Sequence, residues 1–303
     1  MDIRNVSVED FLVWPDDQPD DAEAIKALID AGRAQPDWFY VGYLDGRPSM
    51  RIGYRTSPFL ANPAHSGTLS ETRLFAVGRE GTEHTDEYRA FIDATLPSGL
   101  PDDVRLLETR LRESKHADAE TRATQLEEIG FRCLMEKTGY VRSGGELPPP
   151  RPGIHFKTVE DVGRDAFTRL IAIVGGDGLD REMAHYQSHM DIQHWAEEHV
   201  RYLGDQNDLL MIGYLDGRPI GLVGLNDPGS EPYLSFIGVV PDQRGNGYVD
   251  DLVRHGTNVA IERGWNPLRA ETDMGNLPMR RSFERCGYRM EPGTRLWGHL
   301  LDI

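Results

Sequence analysis

Cysteine is nearly absent from this chain. Cys133 and Cys286 are the only two in 303 residues, which excludes a disulfide framework and a cysteine-rich metal site. Long apolar runs are missing as well. None approaches the roughly 18 residues that a membrane-spanning helix requires, so no membrane partner is expected. Positive charge is in short supply, with 33 Lys and Arg against 50 Asp and Glu and a formal net charge of −17. That balance works against nucleic-acid binding, which depends on basic patches. It serves solubility, or it draws in cationic small molecules through a weak, salt-dependent attraction. The opening Met1-Asp2-Ile3-Arg4 has neither the basic nor the apolar region of a secretory signal, and a cytoplasmic location is expected. Walker, GxSxG and CxxC motifs do not occur. His185, His189, His194 and His199 lack an HExxH context, so no metal is expected.

What is present has the composition of an ordinary soluble protein, 39% hydrophobic and 27% charged, and the length suggests two domains. A duplication supports that division. Gly42-Tyr43-Leu44-Asp45-Gly46-Arg47-Pro48 matches Gly213-Tyr214-Leu215-Asp216-Gly217-Arg218-Pro219 residue for residue. A second echo pairs Ile129-Gly130-Phe131 with Cys286-Gly287-Tyr288, in the same order along each half. Between the copies lies Glu146-Leu147-Pro148-Pro149-Pro150-Arg151-Pro152-Gly153, whose prolines exclude a helix or a central strand. The expected organisation is a first domain over 1–145, a stiff linker over 146–153 and a second domain over 154–303.

In the first half, the acidic run Trp14 to Asp21 reads as a loop whose last aspartate caps a helix over 22–31. Strands are expected over 38–44 and 49–55, around an Asp45-Gly46 turn. In the second half, helices are expected over 160–174 and 180–202, and a hairpin over 209–225. A strand over 233–240 follows, then a loop and an amphipathic helix in which Leu252, Val253, Gly256, Val259, Ala260 and Arg263 recur on one face. A strand over 268–272, a helix over 276–286 and closing strands over 289–301 complete it. The fold class is mixed α/β (α+β) with a mostly antiparallel sheet flanked by helices; no βαβ unit opens on GxGxxG, which argues against a Rossmann domain.

The stretch with most chemical content is Ile237-Gly238-Val239-Val240-Pro241-Asp242-Gln243-Arg244-Gly245-Asn246-Gly247-Tyr248-Val249. An apolar strand ends at proline, a polar loop holds two glycines, and a helix begins. Such a unit gathers backbone N–H groups at the positive end of a helix dipole, where a phosphate or pyrophosphate binds. Together with Asn276 and the terminal Gly287-Tyr288, this stretch resembles the GNAT acyltransferases over residues 154–303. The tandem arrangement is similar to that of mycothiol synthase-like proteins.

The resemblance implies acetyl-CoA as acyl donor, and a site for it. Ile237, Gly238 and Val239 match the strand that splays from its neighbour and pairs with the pantetheine arm; an N–H near Val239 would polarise the thioester carbonyl. Arg244 begins the signature. Gly245, Asn246, Gly247, Tyr248 and Val249, with Asp250, match the pyrophosphate loop. Asn276 matches the asparagine that contacts the cofactor near its thiol. A Gly-rich turn and a polar helix cap account for the same residues structurally. Val249 stands where the family has Gly or Ala, and Asp250 and Asp251 would repel a phosphate. The first half carries Val77 to His84 at the corresponding place without the glycine spacing, so it is expected to be degenerate.

Transfer to an amine needs a base. Glu271 stands where some members place one, five residues before Asn276; Asp273 is expected on the same face of that strand, and Glu231 precedes the neighbouring strand. Phe283 replaces the tyrosine that often supplies the acid, which leaves the acid unassigned. The implied activity is N-acetyl transfer from acetyl-CoA to a primary amine of a small molecule, by direct attack in a ternary complex. A non-catalytic acyl-CoA-binding module and acetylation of a protein amine are the alternatives. A monomer, which is an internal pseudo-dimer, or a homodimer is expected.

Overall fold

The computed structural model of the chain describes residues 1–12, 22–56, 68–76, 85–96, 106–113, 119–188, 191–204, 206–226 and 232–300. The residues form two compact units: Met1–Leu134 with Arg295–Ile303, and Met135–Thr294.

Unit 1 comprises β1 (Asp2–Asn5), α1 (Val8–Leu12), α2 (Ala22–Asp30), β2 (Phe39–Leu44), β3 (Arg47–Thr56), β4 (Thr68–Ala76), α3 (Thr85–Thr95), β5 (Leu106–Arg112) and α4 (Ala119–Glu128). Its strands lie in the order β1-β2-β3-β4-β5. All the pairs are antiparallel except β4 with β5. Met50, Ile52 and Tyr54 of β3 pack with Tyr88, Phe91, Leu107 and Trp297 into its core. The acidic run before α2, with its expected capping aspartate, and the segment Val77 to His84 lie outside the described residues.

Unit 2 repeats the plan. After β6 (Arg132–Arg142) come β7 (Ile154–Thr158), α5 (Val159–Val162), α6 (Arg164–Gly175), α7 (Arg181–Gln187) and α8 (Ile192–Tyr202). Then follow β8 (Leu210–Leu215), β9 (Arg218–Asn226), β10 (Tyr233–Val239), α9 (Tyr248–Glu262), β11 (Leu268–Asp273), α10 (Leu277–Arg285) and β12 (Arg289–Glu291); β13 (Thr294–Leu300) belongs to unit 1 from Arg295 onward. The sheet runs β7-β8-β9-β10-β11-β6, again antiparallel save for one parallel pair, β10 with β11.

The repeated heptapeptide folds the same way twice. Asp45 and Gly46 have φ of 48° and 75°, and Asp216 and Gly217 have 49° and 76°. Both central residues of each turn are left-handed, as a two-residue hairpin loop with the twist of its strands requires. Each hairpin also shifts register at its Gly-Tyr step, Gly42-Tyr43 and Gly213-Tyr214. The tandem arrangement is therefore a repetition of backbone geometry as well as of residues.

Three boundaries differ from the sequence expectation. The units do not divide at the prolines: Met135–Gly153 belongs with unit 2, and the chain's last residues return to unit 1. The reason is pairing. β11 would otherwise present an open edge, and β6 satisfies it from Lys137↔Asp273 to Arg142↔Leu268. The prolines follow β6 as an irregular segment lying along α9, where Leu147 exchanges N–H and C=O hydrogen bonds with the Asn258 side chain at 2.7 and 3.0 Å. The helix expected over 160–174 is broken into α5 and α6 by Gly163, which has a φ of 83°. The helix expected over 180–202 is two, α7 and α8. Asp191 starts α8 by accepting from the amides of Gln193 and His194, both at 3.0 Å.

Candidate active site

The site begins with two strands that part. β10 and β11 pair only at Tyr233↔Arg269 and Leu234↔Ala270, although β10 continues to Val239 and β11 to Asp273. Ser235 lies at the shift in the β9–β10 register, a bulge between Leu234 and Phe236. The bulge turns the strand over. Leu234 faces α9, where a Cβ on Gly256 would meet it. Phe236, which plain alternation would put on the same side, instead packs against Trp195 and His199 of α8. Gly238 faces α6 so closely that a Cβ would overlap Val174.

Beyond β10 the chain makes a short 3-10 turn, Pro241–Gln243, and enters α9 through Gly245 and Gly247 with φ of 81° and 74°. Left-handed backbone explains why glycine stands at both. A Cβ on either would meet nothing within 4 Å, so the loop is open on that side. Gly247 is the N-cap of α9 and gives it no side-chain cap; the Asp250 amide donates to the Gly247 carbonyl at 3.2 Å, which leaves the amides of Tyr248 and Val249 to an outside acceptor. The positive-φ, uncapped entry fits a pyrophosphate.

The first-turn acids do not oppose such an anion as the sequence suggests. Arg285 donates to both carboxylate oxygens of Asp250, at 2.8 and 2.7 Å. Burial works against ionisation of Asp250, but the Arg285 hydrogen bonds prevail and hold its carboxyl below the usual carboxylate range. Asp251 is buried and bound by Arg151. Arg244 points elsewhere: its guanidinium donates to the carbonyls of Val239, Asp177 and Val174 and to the Asp177 carboxylate. It ties the end of α6 to the end of β10.

In the space between the parted strands lies an open cavity of about 110 Å³, lined by Ser235, Phe236 and Ile237 of β10 and by Glu271 and Thr272 of β11. Lys137, Glu182, His199, Asn276 and Phe283 are among the other residues of its wall. Glu271 accepts a hydrogen bond from Thr294 at 2.8 Å. Asp273, two residues on in the same unbroken register with β6, is not among the residues that line the cavity. Asp273 is buried and accepts from the Arg181 Nε at 2.8 Å and the Gly275 amide at 2.7 Å, so its carboxylate is held by protein groups. Glu231 lies outside the described residues. Asn276 lines the cavity while capping α10, its side chain accepting from the Met279 amide at 3.3 Å. Phe283 is buried against Tyr140 and Tyr288. Tyr288 is core: its hydroxyl bonds Thr257 at 2.7 Å and burial pushes its phenol up.

Sequence reasoning missed Lys137 and Glu182, which pair across the cavity wall, and His199. Burial first, with Glu182 opposing and Lys137 adding, lowers the His199 pKa to about 4, so the ring is neutral near pH 7. Only the helical spacing of His199 with Trp195 hinted at an inward position. Nothing in sequence signals Lys137, because β6 comes from the other side of the prolines.

The family model described as "Acetyltransferase (GNAT) family" matches residues 177–288, a span that includes the parted strands, the glycine loop and α10. No curated protein matches the chain. Among solved structures, a GCN5-related N-acetyltransferase from Sphaerobacter thermophilus superposes with a TM-score of 0.62 at 16% identity, over 94% of this chain and 87% of that one. A tandem GNAT protein from the clavulanic acid biosynthesis pathway superposes with a TM-score of 0.55 at 13% identity, covering 96% and 93%. A GCN5-related glucosamine N-acetyltransferase region of a fungal multi-domain β-N-acetylglucosaminidase gives 0.64 at 13%, covering 98% of this chain and 38% of that one. At these identities the likeness is one of fold.

Proposed function

We propose that this chain, which matches the GNAT acetyltransferase family model over residues 177–288 and shares the fold of tandem GNAT structures, moves the acetyl group of acetyl-CoA to a primary amine of a small molecule. Direct attack in a ternary complex is the proposed route. The observation that carries the reading is the parting of β10 from β11 after Leu234↔Ala270, with Glu271 in the space between them and the uncapped start of α9 at its end. Acetyl-CoA supplies an activated acyl group when bound.

The chain's own residues do the rest. The glycine loop and α9 amides hold the diphosphate, and the free edge of β10 from Ile237 to Val239 aligns the pantetheine amides. A β10 N–H stabilises negative charge developing at the acyl oxygen. Glu271 takes the proton from the incoming ammonium or amine, directly or through water, and the Thr294 hydroxyl fixes its carboxylate. Phe283 has no proton to give, and a thiol of pKa about 8.5 leaves without one. Unit 2 supplies one site per chain.

Incubation with acetyl-CoA and a panel of small amines, followed by measurement of free thiol, tests this. Acetyl-CoA should raise the melting temperature in line with RT ln(1 + [L]/Kd), and at least one amine should release thiol. Tight binding with no release across a broad panel supports the non-catalytic binding module instead.

A further inference from the structure

Arg151, in the proline-rich segment, is bound to the glycine loop and to the first turn of α9 through almost every group it has. Its backbone N–H donates to Asp251 Oδ1 at 3.0 Å and its Nε to Oδ2 at 2.8 Å, with Nη2 2.6 Å from the same oxygen. Nη1 donates to the Asn246 carbonyl at 3.2 Å. The guanidinium carbon sits 4.7 Å from the centre of the Tyr248 ring. The Asp251 carboxylate is only 1% exposed while the Arg151 side chain is half exposed, so the pair is anchored on its carboxylate side. Farther back, Leu147 is fixed to Asn258 two turns along the same helix.

One side chain thereby restrains three successive parts of the anion site: the loop at Asn246, the helix entry at Tyr248 and the first turn at Asp251. Two glycines give that loop more backbone freedom than any other residues would, and ordering it on binding would cost affinity. The same contact cancels a carboxylate one turn from the place an anion would occupy. Three of the five guanidinium N–H groups are engaged with protein atoms, which holds the side chain against the loop and gives it a positioning role.

We propose that Arg151 is a positioning residue that pre-organises the acyl-CoA loop, so that affinity for acyl-CoA is set from a segment outside the strand–loop–helix unit. The inference rests on the reading of that loop as the acyl-CoA site. Sequence motifs do not signal it, because the residue lies 95 positions before Asn246.

Two variants of the full chain test it by calorimetric binding of acetyl-CoA and by steady-state kinetics. Arg151→Ala with Asp251→Asn removes the clamp without leaving a buried charge unpaired, which Arg151→Ala alone would do. Arg151→Lys keeps the charge opposite Asp251 but cannot also reach Asn246. The double variant should raise Kd and KM for acetyl-CoA about tenfold, equivalent to about 1.4 kcal/mol. Its kcat and its KM for the amine should stay at wild-type values. Arg151→Lys should lie between the two. A residue with a purely structural role would lower the melting temperature and shift all kinetic constants together, and that result overturns the inference. Wild-type affinity in both variants overturns it too. If the wild-type protein does not bind acetyl-CoA at all, the reading of the loop fails first and this inference with it.

Discussion

Replacement of Gly247 by aspartate or by asparagine separates charge from shape at the start of α9. Gly247 has φ 74° and ψ 14°, and a Cβ there meets nothing within 4 Å. Neither substitution clashes, and both residues tolerate left-handed backbone, so strain is on the order of 1 kcal/mol. Either side chain can also cap the first-turn amides, which offsets part of that. The two variants should therefore fold and melt alike. Only aspartate brings a negative charge to the place proposed for a diphosphate. At about 5 Å and an effective dielectric near 20, a unit charge pair repels by about 3 kcal/mol, and solvent exposure at the loop halves this. The expected loss of acetyl-CoA affinity for Gly247→Asp over Gly247→Asn is about 10- to 100-fold. Calorimetry at low salt, repeated at higher salt where the gap should narrow, reads it directly. Equal affinities in the two variants, at matched melting temperatures, would refute the assignment of an anion to this helix start.

Further outcomes follow from other contacts. Glu271→Gln keeps an oxygen for the Thr294 hydroxyl and should lower kcat at least tenfold, with acetyl-CoA affinity unchanged; an unaffected rate moves the base elsewhere. Gly238→Ala should cost about 1–3 kcal/mol by urea unfolding, because its Cβ overlaps Val174, and adding Val174→Ala should recover most of that. No recovery would contradict the packing of α6 on β10. Acid sensitivity should trace to His199 and His255, whose pKa values burial lowers to about 4. Between about pH 6.5 and 4 the unfolded chain binds protons that the folded one refuses, so stability is intact above that window and falls as the pH drops through it. Exchange of both histidines for glutamine should flatten urea midpoints between pH 7 and 5; an unchanged slope excludes them as the cause.

The elements legible from sequence were those whose signal is local. Asp45-Gly46 and Asp216-Gly217 specify their hairpins by turn chemistry, and the glycines around Asn246 mark the helix entry by the backbone they permit. Leu252, Val253, Gly256 and Ala260 of the expected α9 face are buried, whereas Val259 is half-buried and Arg263 exposed. What escaped depends on distant partners. Asp273 looked equivalent to Glu271, two positions away on one strand, yet its carboxylate is buried and held by Arg181. Asp250 and Asp251 looked repulsive because Arg285 and Arg151 lie 35 and 100 residues from them. The prolines looked like a boundary, but edge pairing of β6 with β11 carries the division upstream of them. Periodicity cannot report a bulge either, and the one at Ser235 decides which side chains enter the cavity.

The account turns on acyl-CoA lying between β10 and β11, and a crystal structure of the chain with acetyl-CoA tests that most directly. It should show the diphosphate on the amides of residues 245–249, the pantetheine arm along Ile237 to Val239, and the acetyl group in the cavity beside Glu271. Acetyl-CoA bound away from the parted strands, or an acetyl group out of reach of Glu271 even through one water, would contradict it.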